Sequence, residues 1–214
     1  RVVGKRIPRT DAPAKVNGTA EFGIDVRLPG MVYASLEQCP VIGGTVRSVD
    51  SSAAKAMPGV VDVVQIPDGV AVVANSYWGA VKARRALKID WDYGAGASLS
   101  SDAMIETHRQ AAAGGKVLPI QPAKGDAMGA IKGAATKVSA TYITPLQSHS
   151  PMEPMNFTAH VTGGKALLIG PTQFQQGVQG GVAAALGMKP EDIEVKTTYL
   201  GGGFGRRIEL DFPV

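Results

Sequence analysis

Residues 199–207 read YLGGGFGRR, and they follow an alternating run, DIEVKTT (192–198). The alternation marks a half-buried strand that runs straight into a loop almost free of side chains. Two readings stand. One is a plain flexible turn. The other is a loop whose backbone lies close to something bulky, polar and anionic, since glycines remove Cβ obstruction and bare N–H groups can cradle an anion. The segment is not the GxGxxG fingerprint of dinucleotide folds, because the sixth-position glycine is missing.

The rest of the chain bounds the answer. With 214 residues, 44% hydrophobic and 19% charged, it suits a globular protein with a buried core. Its 27 glycines and 14 prolines fit many short elements joined by tight turns rather than a helical bundle. The formal charge of +4 is scattered without aromatic interleaving, which argues against a nucleic-acid partner. The lone cysteine, Cys39, has no partner for a disulfide or an iron–sulfur cluster and reads as a buried small apolar residue. No run of about 18 apolar residues is present, so no transmembrane helix is expected. The chain opens on RVVGKRIPR without an initiator Met and closes within continuing structure, which reads as a piece of a longer protein.

Residues 1–30, punctuated by Pro and Gly, read as an extended lead-in. Strands are expected at 31–38, 45–50, 60–66, 70–74 and 87–93, with a short helix after Asp50 and a longer one over 77–86 capped by Ser76. GAGASLSS (94–101) is a composition break. Ser101 is expected to cap a helix ending at Gly114–Gly115. VLPIQPAKG is a second loop, and Asp126 caps a further short helix. Later strands are expected at 137–144, 155–161, 165–170 and 193–199. A Gly163–Gly164 hairpin joins two of them, and a helix spans about 174–186 and ends at Gly187.

Chemistry is harder to place. His108 reads as solvent-facing and His160 as structural; with His149 they form no HxxxH or HxH pair, so a histidine metal site is not expected. There is no GxSxG elbow for a serine nucleophile. Glu153, between prolines and methionines in SPMEPMN, is either an exposed loop residue or a carboxylate that must be paired if desolvated.

Four stretches in order carry a resemblance: RTDAPAKVNGTAEFGIDVRLPGMVYA (9–34), SHSPMEPMNFTAHV (148–161), GPTQFQQGVQGGVAAALGM (170–188) and YLGGGFGRR (199–207). Together they resemble the molybdenum hydroxylases, the family of xanthine and aldehyde oxidases, and most closely the large-subunit branch that includes the isoquinoline 1-oxidoreductase beta subunit. The resemblance spans essentially the whole chain. It implies an α+β fold: an a/b hammerhead domain (1–95), a linker and helix (96–118), and a truncated start of the molybdopterin-binding α/β domain (119–214). It implies oxidation of aldehydes or hydroxylation of N-heteroaromatic compounds with oxygen from water, and electrons passed to a separate small [2Fe-2S] subunit. The implied cofactor is molybdopterin in its cytosine dinucleotide form.

By that resemblance Gln147 matches the glutamine that hydrogen-bonds the apical molybdenum ligand. Gly201, Gly202, Gly203, Phe204 and Gly205 match the loop that approaches the metal, with Phe204 as a wall. Arg206 or Arg207 offers a charge-assisted contact, and both are not expected to point inward. Xanthine oxidases place a substrate-contacting glutamate where Ile208 stands here, with Glu209 one position later, which argues against purine recognition. The family's general-base glutamate is expected beyond residue 214, so no catalytic residue is assigned and the piece alone is expected to be inactive and without cofactor. Resemblance to exported members with twin-arginine signals favours the periplasm. The competing readings are a non-catalytic hammerhead-type binding or assembly module, and an unrelated α/β protein with a phosphate-binding glycine loop.

Overall fold

The computed structural model describes residues 2–115 and 124–214. In chain order its elements are α1 (Ala12–Val16), β1 (Tyr33–Gln38), β2 (Thr45–Asp50), α2 (Ser52–Lys55), β3 (Val60–Ile66), β4 (Gly69–Ala74), α3 (Tyr77–Arg84) and β5 (Lys88–Asp92). Then follow α4 (Ser101–Ala113), α5 (Ala127–Gly133), β6 (Thr158–Thr162), β7 (Lys165–Gly170), α6 (Gln175–Leu186) and β8 (Ile193–Thr197). Helix and sheet are mixed throughout. The chain divides into two compact units, one of residues 30–146 and one of residues 1–29 with 147–214.

In the unit 30–146, the β3–β4 hairpin carries β1 on its other side, giving the antiparallel order β1-β4-β3. A second antiparallel pair joins β2 to β5. The β4 sequence GVAVVA is apolar at every position, and the strand is central, with four of its six residues buried and Ala71 and Val73 half-buried. Small side chains let α3 lie close to it: Ala80 and Ala83 are fully buried, and Ala83 joins Ala54 and Val72 in one core cluster. Ser76 caps α3 as expected, its Oγ accepting from Gly79 N–H at 3.1 Å.

In the other unit, β7 pairs antiparallel with β6 and parallel with β8. A parallel pair needs a crossover, and α6 supplies it. Val178, Val182 and Ala183 of α6 close a core with Ala166, Leu168 and Ile193. Gly163 and Gly164 both have positive φ and form the tight β6–β7 turn. Gly187, at φ +64°, ends α6 in the left-handed conformation.

Several expectations are corrected. Residues 137–144 form no strand although their residue types favour one. Val138 and Tyr142 are about nine-tenths exposed, and no described strand pairs with the segment. Strand propensity is a preference for a paired, half-buried surface, and without a neighbouring edge it has nothing to act on. The lead-in holds a short helix, α1, rather than only turns. Ser100, not Ser101, caps α4, accepting from Ala103 N–H at 3.2 Å. His160 is exposed on β6 and Cys39 is only half-buried. The expected loop VLPIQPAKG lies largely outside the described residues.

From α5 to the start of β6, Met128, Ile131, Val138, Tyr142 and Leu146 all stand in solvent. Apolar surface of this extent drives association. The 214-residue chain is therefore expected to self-associate as concentration rises in sedimentation velocity. Val138→Lys with Tyr142→Lys is expected to weaken that association. A monodisperse monomer at all concentrations would count against this.

Candidate functional site

The site is built by segments far apart in sequence within one unit. After β8 the chain continues extended, and Tyr199 bridges Phe22 in parallel, with Tyr199 N–H donating to Glu21 O at 3.3 Å. The rings of Phe22 and Tyr199 lie 6.1 Å apart, and Lys15 Nζ sits 5.1 Å over the tyrosine. Residues 20–25 are thereby laid beside the start of the glycine loop.

Glu153 is the anchor. It is 8% exposed. Its Oε1 accepts from Ile24 N–H at 3.3 Å and from Asn156 Nδ2 at 3.0 Å. Its Oε2 accepts from Gly201 N–H at 2.8 Å and from Arg207 Nη2 at 3.0 Å. Its backbone N–H also donates to Gly201 O at 3.0 Å. Of the two readings of this residue, the structure selects the buried and paired one.

Arg207 is fully buried, and its guanidinium finds an acceptor in each direction. Nε donates to Gly202 O at 2.7 Å, Nη1 to Pro171 O at 3.4 Å, and Nη2 to Glu153 O at 2.9 Å as well as to the carboxylate. Burial pulls the guanidinium below its ordinary pKa, and the Glu153 charge opposes that pull. Arg206 faces the other way. It makes a bidentate pair with Asp211, at 2.7 and 2.6 Å, that raises its pKa. The two adjacent arginines thus divide their roles, and the inward one is Arg207.

Between these anchors the loop is close-fitted. A Cβ on Gly201 would collide with Glu153 Cβ, and one on Gly23 would collide with Asn156 Oδ1. Gly202, Phe204 and Gly205 all have positive φ, at +106°, +53° and +84°. Phe204 is the only non-glycine residue among those described with positive φ, and the residue is 71% exposed. Such a conformation is strained for a side-chain-bearing residue. Among the described residues, the N–H groups of Gly202, Gly203, Phe204 and Gly205 have no protein acceptor. Four consecutive N–H groups without a protein acceptor, on a turn with left-handed residues, are donors available to anionic oxygens.

The structure brings together Gly201, Gly202, Gly203, Phe204, Gly205 and Arg206, but Gln147 is exposed and makes no hydrogen bond to the loop. His149, two residues on, comes nearer: its Nδ1 is 3.7 Å from the place of a Cβ on Gly205. The sequence reading left the Arg207–Glu153 pair undrawn and gave Gln173 no role, although Gln173 lies against Gly203. No group of three or more His, Cys, Asp or Glu residues among those described is arranged to hold a metal directly. A cleft of about 590 Å³ lined by Glu21, Arg27, Lys196 and Tyr199 does not include the Gly201–Gly205 loop.

Glu153→Leu is expected to destabilise the chain by about 3–5 kcal/mol, because it leaves a buried guanidinium without its counter-charge. Glu153→Leu with Arg207→Leu is expected to cost less than the two single losses summed. Urea unfolding followed by circular dichroism measures both. Additive losses would show that the two residues do not act as a pair.

Comparisons with known proteins bear on the same residues. Residues 108–212 match the family described as the molybdopterin cofactor-binding domain. The chain is 33% identical to the isoquinoline 1-oxidoreductase subunit beta of Brevundimonas diminuta, over 98% of its own length and 28% of that protein's. It is 31% identical to the membrane-bound aldehyde dehydrogenase [pyrroloquinoline-quinone] of Gluconacetobacter polyoxogenes, over 100% of its length and 29% of that protein's. In fold it is similar to quinoline 2-oxidoreductase from Pseudomonas putida 86. That match has a TM-score of 0.72 at 19% identity, covering 100% of this chain and 32% of the other. The chain therefore spans under a third of the length of these relatives.

Proposed function

We propose a function on one premise: the chain belongs to the molybdenum hydroxylase family of xanthine and aldehyde oxidases. On this reading it supplies part of the cofactor-facing wall of a molybdenum-dependent oxidoreductase subunit. The observation that carries the reading is the run of four unpaired N–H groups from Gly202 to Gly205, held from behind by the Glu153–Arg207 pair. Molybdopterin presents oxygen-rich anionic groups, and backbone N–H donors at a Cβ-free surface fit them.

The residues take the following roles. Gly201 is spent on Glu153 and fixes where the loop begins. Gly202, Gly203, Phe204 and Gly205 donate to cofactor oxygens. Phe204 screens the site from water with its ring. Gln147 is assigned an amide contact by the resemblance alone, since its side chain is exposed and bonds no residue of the loop. Arg206 already shares its guanidinium with Asp211, so it lies beside the loop without a dedicated contact to the cofactor. When bound, the group accepts two electrons from the substrate, whose new oxygen comes from water.

The proposed reaction is oxidation of an aldehyde or hydroxylation of an N-heteroaromatic compound, with electrons leaving to a small [2Fe-2S] subunit. The cytosine dinucleotide form of the cofactor belongs to the same proposal. So does the division into a hammerhead domain (1–95), a linker (96–118) and the start of the cofactor domain (119–214). A second reading, a binding or assembly module without redox chemistry, has the exposed apolar stretch around Val138 and Tyr142 in its favour.

Molybdenum content decides between them. The full-length subunit, copurified with its small partner from a host able to make the cofactor, is expected to hold about one metal per subunit by elemental mass spectrometry. It should then turn over members of an aldehyde and N-heterocycle panel. The 214-residue chain alone is expected to hold no metal and show no turnover. A full-length subunit free of molybdenum would favour the module. A quinone in place of the metal would point to the group for which the Gluconacetobacter relative is named.

A further inference from the structure

We infer that the Asn17–Gly18 link is a site of spontaneous covalent modification: the Asn17 carboxamide is lost through attack by the Gly18 main-chain nitrogen, leaving aspartate or isoaspartate at the end of α1. The inference stands apart from the cofactor reading and does not depend on it. Among the chain's three asparagines, Asn17 alone is followed by glycine; Asn75 precedes Ser76 and Asn156 precedes Phe157. Attack by a following nitrogen is hindered by whatever side chain that residue carries, and glycine carries none. The surroundings are open as well. Asn17 and Gly18 are both exposed, and a Cβ on Gly18 would meet nothing within 4 Å. Gly18 has φ +78° and follows Asn17, the C-cap of α1.

The hydrogen bonds divide the reacting atoms into held and free ones. Asn17 Oδ1 accepts from Thr19 N–H at 3.0 Å and from Thr19 Oγ1 at 2.7 Å. Negative charge develops on that oxygen when a nucleophile adds to Cγ, and two donors already aimed at it stabilise the addition. Thr19 is itself fixed, since its N–H also donates to Ala14 O at 3.1 Å, and Ala20 N–H reaches the same carbonyl at 3.0 Å. The nucleophile and the leaving group are free: Gly18 N–H and Asn17 Nδ2 have no acceptor among the described residues. Asn156 is the contrast. It is half-buried, and its Nδ2 donates to Glu153 Oε1 and to Pro154 O.

Solvent base removes the Gly18 N–H proton, and the nitrogen bonds to Asn17 Cγ. The Cγ–Nδ2 bond then breaks, and the nitrogen takes up a proton and leaves as ammonia. Water opens the imide ring so formed. Addition at Cγ restores the main chain with aspartate. Addition at the Asn17 main-chain carbonyl carbon routes the chain through Cγ as isoaspartate. No oxidant or reductant is needed. Either product sets a carboxylate at the C-terminal end of α1, beside main-chain carbonyls that already carry partial negative charge. Isoaspartate also inserts a methylene between α1 and residues 20–25, the segment that reaches Glu153 through Ile24 N–H.

The test incubates the full-length subunit with its small partner at mildly alkaline pH and follows its peptides by mass spectrometry, with fragmentation that separates aspartate from isoaspartate. The Asn17 peptide is expected to lose its amide at least about tenfold faster than those holding Asn75 and Asn156, because its attacking nitrogen has no side chain beside it. Gly18→Ala, checked by thermal melting because φ +78° is strained for alanine, is expected to slow the loss by about tenfold. Thr19→Val removes the hydroxyl donor and is expected to slow it several-fold. Asn17→Ser has no amide to lose, and its melting should hold steady through an incubation that lowers the parent's. An Asn17 amide that lasts as long as those of Asn75 and Asn156 overturns the inference. Isoaspartate forms only by way of the imide, so aspartate alone in the parent overturns attack by Gly18, whether or not Gly18→Ala folds. Faster loss in Thr19→Val overturns the role given to Thr19.

Discussion

The carboxylate of Glu153 accepts from Ile24, Asn156, Gly201 and Arg207, and through them joins the lead-in, the 147–157 segment and the glycine loop. Burying either ion alone would cost several kcal/mol of lost hydration. The cost is offset only because nearly every polar atom of the pair has a partner. Such a pair is a poor source of net stability compared with apolar packing, but it is specific. A carboxylate with four donors and a guanidinium with three carbonyl acceptors admit few other arrangements. The loop depends on this more than on any apolar core, since glycines have no side chains with which to pack.

The direction of that dependence explains the loop's free donors. Arg207 takes up Gly202 O and Glu153 takes up Gly201 N–H, so the anchors hold the loop at its first residues and from behind. The tight turn from Gly203 to Ile208 uses the carbonyls of Gly203 and Gly205, which accept from Arg206 and Ile208. The N–H groups from 202 to 205 are what remains. The positive character of the site therefore comes from backbone dipoles, while both arginines are neutralised by carboxylates. A fixed backbone donor needs no side-chain ordering when a ligand binds, which is the advantage of a preorganised site.

Much of the fold was legible because the local signals agreed with the tertiary result. β2, β3 and β7 fall on their expected residues, and Ser76, Asp126 and Gly187 punctuate helices as their chemistry suggests. What misled was the stretch at 137–144, where composition points to a strand but pairing decides. The glycine loop was legible as a loop, from the glycines that follow the alternation of β8. The partner of Glu153 was not legible, because adjacent arginines are equivalent in sequence and only the turn after Gly205 determines which one points inward. Gln173 was hidden for a similar reason: nothing in PTQFQQG distinguishes its amide from Gln175 or Gln176. Only the fold, by setting residue 173 against a glycine thirty positions later, gives it a neighbour.

A loop whose free donors are main-chain N–H groups presents the same donors whatever side chains surround it. Relatives named for isoquinoline and for aldehyde oxidation share this stretch of chain with the present protein. The main-chain donors of the loop do not change when side chains do. Side chains at its border are where choice can enter. Ile208 is half-exposed at the end of the turn that Arg206 opens. An apolar residue there offers no hydrogen bond to a polar group beside it. The buried pair and the glycines thus constrain the backbone of the loop, while the few exposed side chains around it, Phe204, Gln173 and Ile208, are under no such constraint.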